Sequence, residues 1–128
     1  MAKQAVSTEK APKPVGPYSQ AVRAGDFLFL SGQVAINPAT GKIEGDDVKT
    51  QTRRILTNAK AILESVGHSL DDVVKATVYL TDTEHFKDMN EVYREYFRNV
   101  PPARTTVVVQ LPLKDALVEV DLIAYVGS

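Results

Sequence analysis

A chain of 128 residues, 44% hydrophobic and 24% charged, reads as a single domain spanning 1–128, long enough to bury roughly two-thirds of the surface its unfolded form exposes. Fifteen Lys and Arg against sixteen Asp and Glu give a net charge of −1, without the basic excess that binding a nucleic-acid backbone needs. The lack of cysteine excludes disulfides, thiolate catalysis and Cys-ligated zinc.

Residues 1–16, with Pro12, Pro14 and Gly16, read as a loose N-terminal arm without the apolar stretch of a secretory signal. No apolar run reaches the ~20 residues that span a bilayer, so the expected compartment is the cytoplasm. Ser19 to Arg23 and Phe27 to Val34 read as a hairpin turning at Ala24-Gly25-Asp26. Asn37-Pro38-Ala39-Thr40-Gly41 carries turn chemistry. Asp46 or Asp47 caps a helix that runs to about Val66 and stops at Gly67. Its residues Val48, Ile55, Leu56, Ala59, Ile62, Leu63 and Val66 recur at three-and-four spacing and form a core stripe. Lys49, Arg53, Arg54 and Lys60, a basic cluster on this helix, read as a solvated face.

Val73 to Thr81 is an expected strand with Val74, Ala76, Val78 and Leu80 on one face and Lys75, Thr77 and Tyr79 on the other. A second helix begins at Asp82 or Thr83 and carries Phe86, Met89, Val92, Tyr93, Tyr96 and Phe97, until Pro101-Pro102 forbids its continuation. Thr105 to Leu111 and Leu117 to Val126 complete the strands. The order ββαβαββ argues for an α+β open-faced sandwich with both helices on one face of a mixed sheet. In the last strand Val118, Val120, Leu122, Ala124 and Val126 point toward the helices, and Leu117, Glu119, Asp121, Ile123 and Tyr125 point away. That second face, with Tyr79 and part of the valine run at 107–109, forms an apolar patch on the order of several hundred Å², the mark of an interface. Covering it is worth on the order of 10 kcal/mol before association costs, and a homo-oligomer packed through this face is expected.

The chemistry-bearing residues are few. Arg104, approached through two prolines and followed by Thr105 and Thr106, can clamp a carboxylate bidentately. Glu119, if desolvated, can position and deprotonate a water. The spacing of the two residues suggests adjacent antiparallel strands that bring guanidinium and carboxylate into one pocket. Gly32, inside an apolar strand at Ser31-Gly32-Gln33, marks a close approach of a ligand or another backbone. Ser31 lacks a histidine partner and a nucleophile elbow. Tyr18 reads either as a packing residue or as a pocket lid, and Asn90 as a helix-surface amide unless it faces the site. His68 and His85 share no ligand spacing, so no metal is expected.

Short motifs distributed along nearly the whole chain carry a resemblance. They are Gly16-Pro17-Tyr18-Ser19-Gln20-Ala21, Leu30-Ser31-Gly32-Gln33, Asn37-Pro38 with Thr40-Gly41, Val74-Lys75-Ala76-Thr77-Val78-Tyr79, Met89-Asn90-Glu91-Val92-Tyr93, Pro102-Ala103-Arg104-Thr105-Thr106-Val107 and Val118-Glu119-Val120. In this order the chain resembles the RidA (YjgF-type) family of reactive intermediate deaminases. The resemblance implies a chorismate-mutase-like fold, a homotrimer with pockets at the subunit interfaces, and no cofactor. It implies hydrolysis of 2-imino acids, such as 2-iminopropanoate and 2-iminobutanoate, to 2-keto acids and ammonia. The enamine precursors of these imines come from dehydratases that use pyridoxal phosphate.

By the same resemblance Arg104 binds the substrate carboxylate, and Glu119 orients or activates the attacking water. Tyr18 packs over the substrate, the Gly32 N–H helps to hold the carboxylate, and Asn90 lies in the pocket. Thr106 stands where the family often has cysteine and contributes its backbone carbonyl. Asp121 and Leu122 depart from the common Glu-Ala pair. Two alternatives of other classes are a keto-acid-binding regulatory module and an endoribonuclease or translation inhibitor. The near-neutral charge and the lack of a histidine pair argue against the latter.

Overall fold

The structure, a computed structural model, describes residues 2–127. Strands β1 (Gln4–Val6), β2 (Ala21–Ala24), β3 (Phe27–Gln33), β6 (Val73–Leu80), β7 (Ala103–Val108) and β8 (Val118–Tyr125) form one sheet in the order β1-β2-β3-β8-β6-β7. Strands β4 (Ile36–Asn37) and β5 (Lys42–Ile43) form a separate hairpin. Helices α1 (Val48–Glu64) and α2 (Phe86–Tyr96) pack against one another and against one face of the sheet. Among the described residues only β6 and β7 run parallel, so the sheet is mixed and the α+β reading holds.

Local chemistry fixes the element ends. Gly25 closes the β2–β3 hairpin at φ 59°, a region that residues with a Cβ resist. The Asp47 carboxylate accepts from Thr50 N at 3.0 Å and caps α1. The Asp82 side chain accepts from Glu84 N and opens a single 3₁₀ turn, Thr83–His85, that leads into α2. The core lies between helices and sheet, where Leu28, Ile55, Leu56, Ile62, Leu63, Leu80, Met89 and Leu122 are fully buried. The β8 alternation is as expected: Val118, Val120, Leu122, Ala124 and Val126 are all buried.

Four details differ from the sequence reading. The arm is not loose. β1 pairs with β2, Ala11 is buried, and Gln20 secures the segment between them. Buried Gln20 accepts from Thr8 N at 2.8 Å and donates to the carbonyls of Thr8, Ala11 and Pro12 at 3.0, 3.3 and 2.9 Å. Val74 leaves the apolar row because the β6–β8 register shifts between Val73 and Lys75. Val73 takes the buried place and Val74 is 44% exposed. Phe86 is exposed rather than part of the α2 core stripe. The basic residues of α1 are not simply solvated. Lys49 pairs with Glu91 at 2.7 Å and Arg53 with Glu95 at 3.2 Å, tying α1 to α2. Arg54 Nε lies 3.3 Å from Glu44, within ion-pair distance but off the line of a hydrogen bond.

The face of the sheet away from the helices presents the apolar patch expected from the pattern. Phe27, Phe29, Val107 and Tyr125 are exposed there. Phe27 sits edge-on against Tyr125, with ring centroids 5.6 Å apart.

Gln20→Ala leaves the buried carbonyls of Ala11 and Pro12 without their donor. A loss of about 2–4 kcal/mol in unfolding free energy is expected, read by denaturant titration, together with faster amide exchange at Thr8.

Candidate active site

Strand β7 begins just after Pro101-Pro102 and pairs with β6 in the register Arg104↔Ala76 and Thr106↔Val78. Ala76 and Val78 face the helices, so Arg104 and Thr106 do too. The Arg104 guanidinium lies 4.8 Å from the centroid of the Tyr93 ring and 5.8 Å from that of Phe86. Stacking of this kind holds the cation without consuming its hydrogen-bond donors. Phe86, Asn90 and Tyr93 follow one another at helical spacing, which puts Asn90, half-buried, on the α2 stripe that meets Arg104. Among the described residues Arg104 forms no ion pair. Thr106 lines a shallow depression of about 270 Å³ with Phe86, Leu80, Thr83, Val107 and Val108.

Glu119 lies elsewhere. β8 pairs with β6 and β3, not with β7, so the expectation that Arg104 and Glu119 occupy adjacent antiparallel strands is wrong. Strand β6 separates them, and Glu119 points to the face away from the helices. The physical reason is the α2 crossover: a parallel partner for β6 must arrive through a long connection, and β8 then takes the remaining edge of β6.

Around Glu119 an open cleft of about 440 Å³ is lined by Val15, Tyr18, Ser31, Gly32, Val34, Ile36, Pro112, Leu113 and Glu119. Tyr18, half-exposed, projects over it with its hydroxyl accepting from Val15 N at 3.2 Å. The Ser31 hydroxyl donates to the Ser19 carbonyl at 2.6 Å and is thereby occupied. The structure therefore brings Tyr18, Gly32 and Glu119 together in one place and Arg104, Thr106 and Asn90 in another.

The Glu119 carboxyl is pushed above the usual glutamate range, chiefly by burial and secondly by the charge of Asp121. No protein group among the described residues donates a hydrogen bond to it. Asp121, on the same face, accepts from the Tyr79 hydroxyl at 2.7 Å. That bond, with burial, pushes the Tyr79 phenol up to about 12. Tyr93 is 6% exposed, and among the described residues its hydroxyl makes no well-aligned hydrogen bond, although the Arg104 side chain approaches it. Burial raises its pKa while the Arg104 charge opposes the rise.

The Phe86–Tyr93 cradle and the Tyr79–Asp121 pair were not singled out in the sequence. A signal for the first was available, since aromatic residues seven apart on a helix that precedes the arginine strand can stack on one cation. The second had only the shared face of Glu119 and Asp121 to suggest it.

Residues 8–126 match a family profile described as Endoribonuclease L-PSP. The chain is 56% identical over 123 residues to a RutC family protein of Pyrococcus horikoshii, covering 96% of this chain and 98% of that one. It is 46% identical over 123 residues to the chloroplastic Reactive Intermediate Deaminase A of Arabidopsis thaliana, covering 95% of this chain and 65% of that longer one. Among solved structures it is similar to E. coli TdcF with bound serine, at a TM-score of 0.89 and 40% identity, covering 95% of this chain and 98% of that one. It is also similar to RidA from an Antarctic Psychrobacter, at a TM-score of 0.91 and 42% identity, covering 95% of this chain and 98% of that one.

Two outcomes follow from the charges and hydroxyls just described. A raised Glu119 pKa means that the folded state holds this proton more tightly than the unfolded chain does. Stability is therefore full below the ordinary value of 4.5 and falls as pH climbs through the raised value. Glu119→Gln, which cannot ionise, is expected to melt above wild type at pH 7, with the gap closing below pH 4.5. Tyr93→Phe removes a buried hydroxyl without a well-aligned partner and keeps the ring under Arg104. A gain of about 1 kcal/mol in denaturant unfolding is expected.

Proposed function

The chain belongs to the Rid family, also named RutC or Endoribonuclease L-PSP, and from that premise we propose that it is a cofactor-independent deaminase of 2-imino acids. The substrates are short members such as 2-iminopropanoate and 2-iminobutanoate, formed from enamines that dehydratases release, and the products are 2-keto acids and ammonia. The observation that carries this reading is the Arg104 guanidinium, seated on two aromatic rings and, among the described residues, without an anionic partner. A planar cation with its fork free is a receptor for a small carboxylate. A relative of this fold crystallised with serine, itself a small carboxylate with nitrogen on C2, is in keeping with that.

A protonated imine next to a carboxylate is already a good electrophile, so the protein needs only to fix the anion and deliver water. Arg104 takes the substrate carboxylate in two parallel N–H···O bonds. Glu119, a carboxylate whose pKa burial raises, accepts a proton from water as the water oxygen bonds to C2. The C=N π pair moves to nitrogen and a carbinolamine results. Glu119 returns the proton to the amine, the C–N bond breaks with its electrons leaving on nitrogen, and the C2 hydroxyl proton passes to the regenerated Glu119 carboxylate as the carbonyl forms and from there to solvent water. Ammonia and the 2-keto acid depart. Tyr18 covers the substrate, and Asn90 and the Thr106 carbonyl supply polar contacts beside Arg104.

Because Arg104 and Glu119 face opposite sides of one sheet, they meet only if one protomer's Arg104 approaches the cleft of a second copy. A homotrimer packed through the exposed face of Phe27, Phe29, Val107 and Tyr125 supplies that arrangement, each pocket being shared by two protomers. An endoribonuclease reading, which the family's description invites, is not favoured by the near-neutral net charge. Three of the four clustered basic residues of α1 are engaged with glutamates.

The test generates 2-aminoacrylate in situ with a serine dehydratase and follows pyruvate. The wild-type chain is expected to speed pyruvate release. Arg104→Ala is expected to lose about a hundredfold or more in kcat/KM, since two charge-assisted bonds of ~1.5–3 kcal/mol each are removed, while its oligomeric state is unchanged. Glu119→Gln is expected to lose turnover and retain pyruvate binding. A wild-type chain that binds pyruvate without accelerating its release would instead be a keto-acid-binding module.

A further inference from the structure

The β3–β8 register runs Leu30↔Leu122 and then Gln33↔Val120. Three steps on β3 therefore oppose two on β8, a bulge at Ser31-Gly32. The bulge is fixed from behind. Ser31 N donates to the Gln20 carbonyl at 3.0 Å, and the Ser31 hydroxyl donates to the Ser19 carbonyl at 2.6 Å. Gly32 is not among the glycines with positive φ, so its backbone conformation does not demand glycine. Space does. A Cβ built on Gly32 would overlap Glu119 Oε2 and lie 2.9 Å from its Cδ and 3.2 Å from its Cγ. The Glu119 side chain thus occupies the volume that any other residue at position 32 would fill.

We propose that Gly32 is the seat of the Glu119 carboxylate, a positioning residue whose missing side chain fixes where the catalytic base stands. This rests on the imine-hydrolysis reading for its kinetic consequence, though the seat itself is a matter of geometry alone. The bulge backbone is tied to its neighbours and Glu119 is the flexible member of the contact. A methyl group at position 32 therefore displaces the carboxylate toward solvent and leaves the fold as it is. The displaced base no longer lies against the bulge, where the attacking water would be held. A displacement on the order of 1 Å costs about a hundredfold in a reaction governed by positioning. The role is distinct from donating the Gly32 N–H to a substrate carboxylate, because alanine keeps that N–H.

Gly32→Ala is the variant to make. It is expected to keep the wild-type oligomeric state, to melt no lower than wild type at pH 7, and to lose about a hundredfold in kcat with little change in KM. In a Glu119→Ala background, where nothing occupies the seat, the same substitution is expected to add no further loss. Titration of the Glu119 carboxyl by NMR is the readout that needs no activity. Its pKa is expected to fall toward the ordinary glutamate value in Gly32→Ala as the group moves into water. Wild-type kcat and an unshifted Glu119 titration would overturn the proposal, as would equal losses in the two backgrounds or a Gly32→Ala chain that fails to fold. If the wild-type chain hydrolyses no imine, the functional reading fails, and the titration still decides the seat.

Discussion

Strand β6 sets the geometry on which the site depends. It pairs in parallel with β7 on one side and antiparallel with β8 on the other, and those two neighbours carry the two charged residues of interest. The parallel pairing requires a crossover, and α2 is that crossover. The helix that covers the core therefore also delivers Phe86 and Tyr93 to the guanidinium of the strand that follows it. The antiparallel pairing places Tyr79 directly opposite Glu119 and Thr77 opposite Asp121. From there the Tyr79 hydroxyl reaches diagonally to the aspartate.

The two faces of this sheet are built for different purposes. One is a closed core, with Ala76, Val78, Val120 and Leu122 at or near complete burial. The other has no cover within the chain, yet it exposes aromatic and branched side chains beside a carboxylate whose pKa burial has already raised. Exposed apolar area of this kind costs a lone chain solubility, and desolvating a carboxylate without giving it a donor costs stability. Both costs fall on the same face of the sheet.

Much of this was legible in the chain. The α1 stripe, the β8 alternation and the capping aspartates follow from periodicity and side-chain chemistry, because those signals are local. What stayed hidden was non-local. The arm looked loose since its anchor, Gln20, acts through its side chain on backbone carbonyls eight to twelve residues earlier, which no pattern of hydrophobicity reports. Val74 was misplaced because strict alternation cannot foresee a register shift. Arg104 and Glu119 were joined across neighbouring strands because nearness in sequence suggests a hairpin. Helix α2, sitting between β6 and β7, was the available sign that β7 would go to β6 instead. Gly32 was marked as a point of close approach, and what approaches is Glu119 itself.

The separation of Arg104 from Glu119 has a chemical consequence. Were they neighbours in one chain, they would pair. The glutamate pKa would be lowered rather than raised, and the guanidinium fork would already be filled. With β6 between them, the two charges do not neutralise one another within one chain. The same logic separates the two acids on β8. The Tyr79 hydroxyl engages Asp121 at 2.7 Å, which commits that carboxylate as an acceptor, whereas Glu119, two residues away on the same face, has no donor. Asp121 still acts at a distance, because its charge adds to the rise in the Glu119 pKa. One acid is thus engaged by a hydroxyl donor while its charge acts on the other.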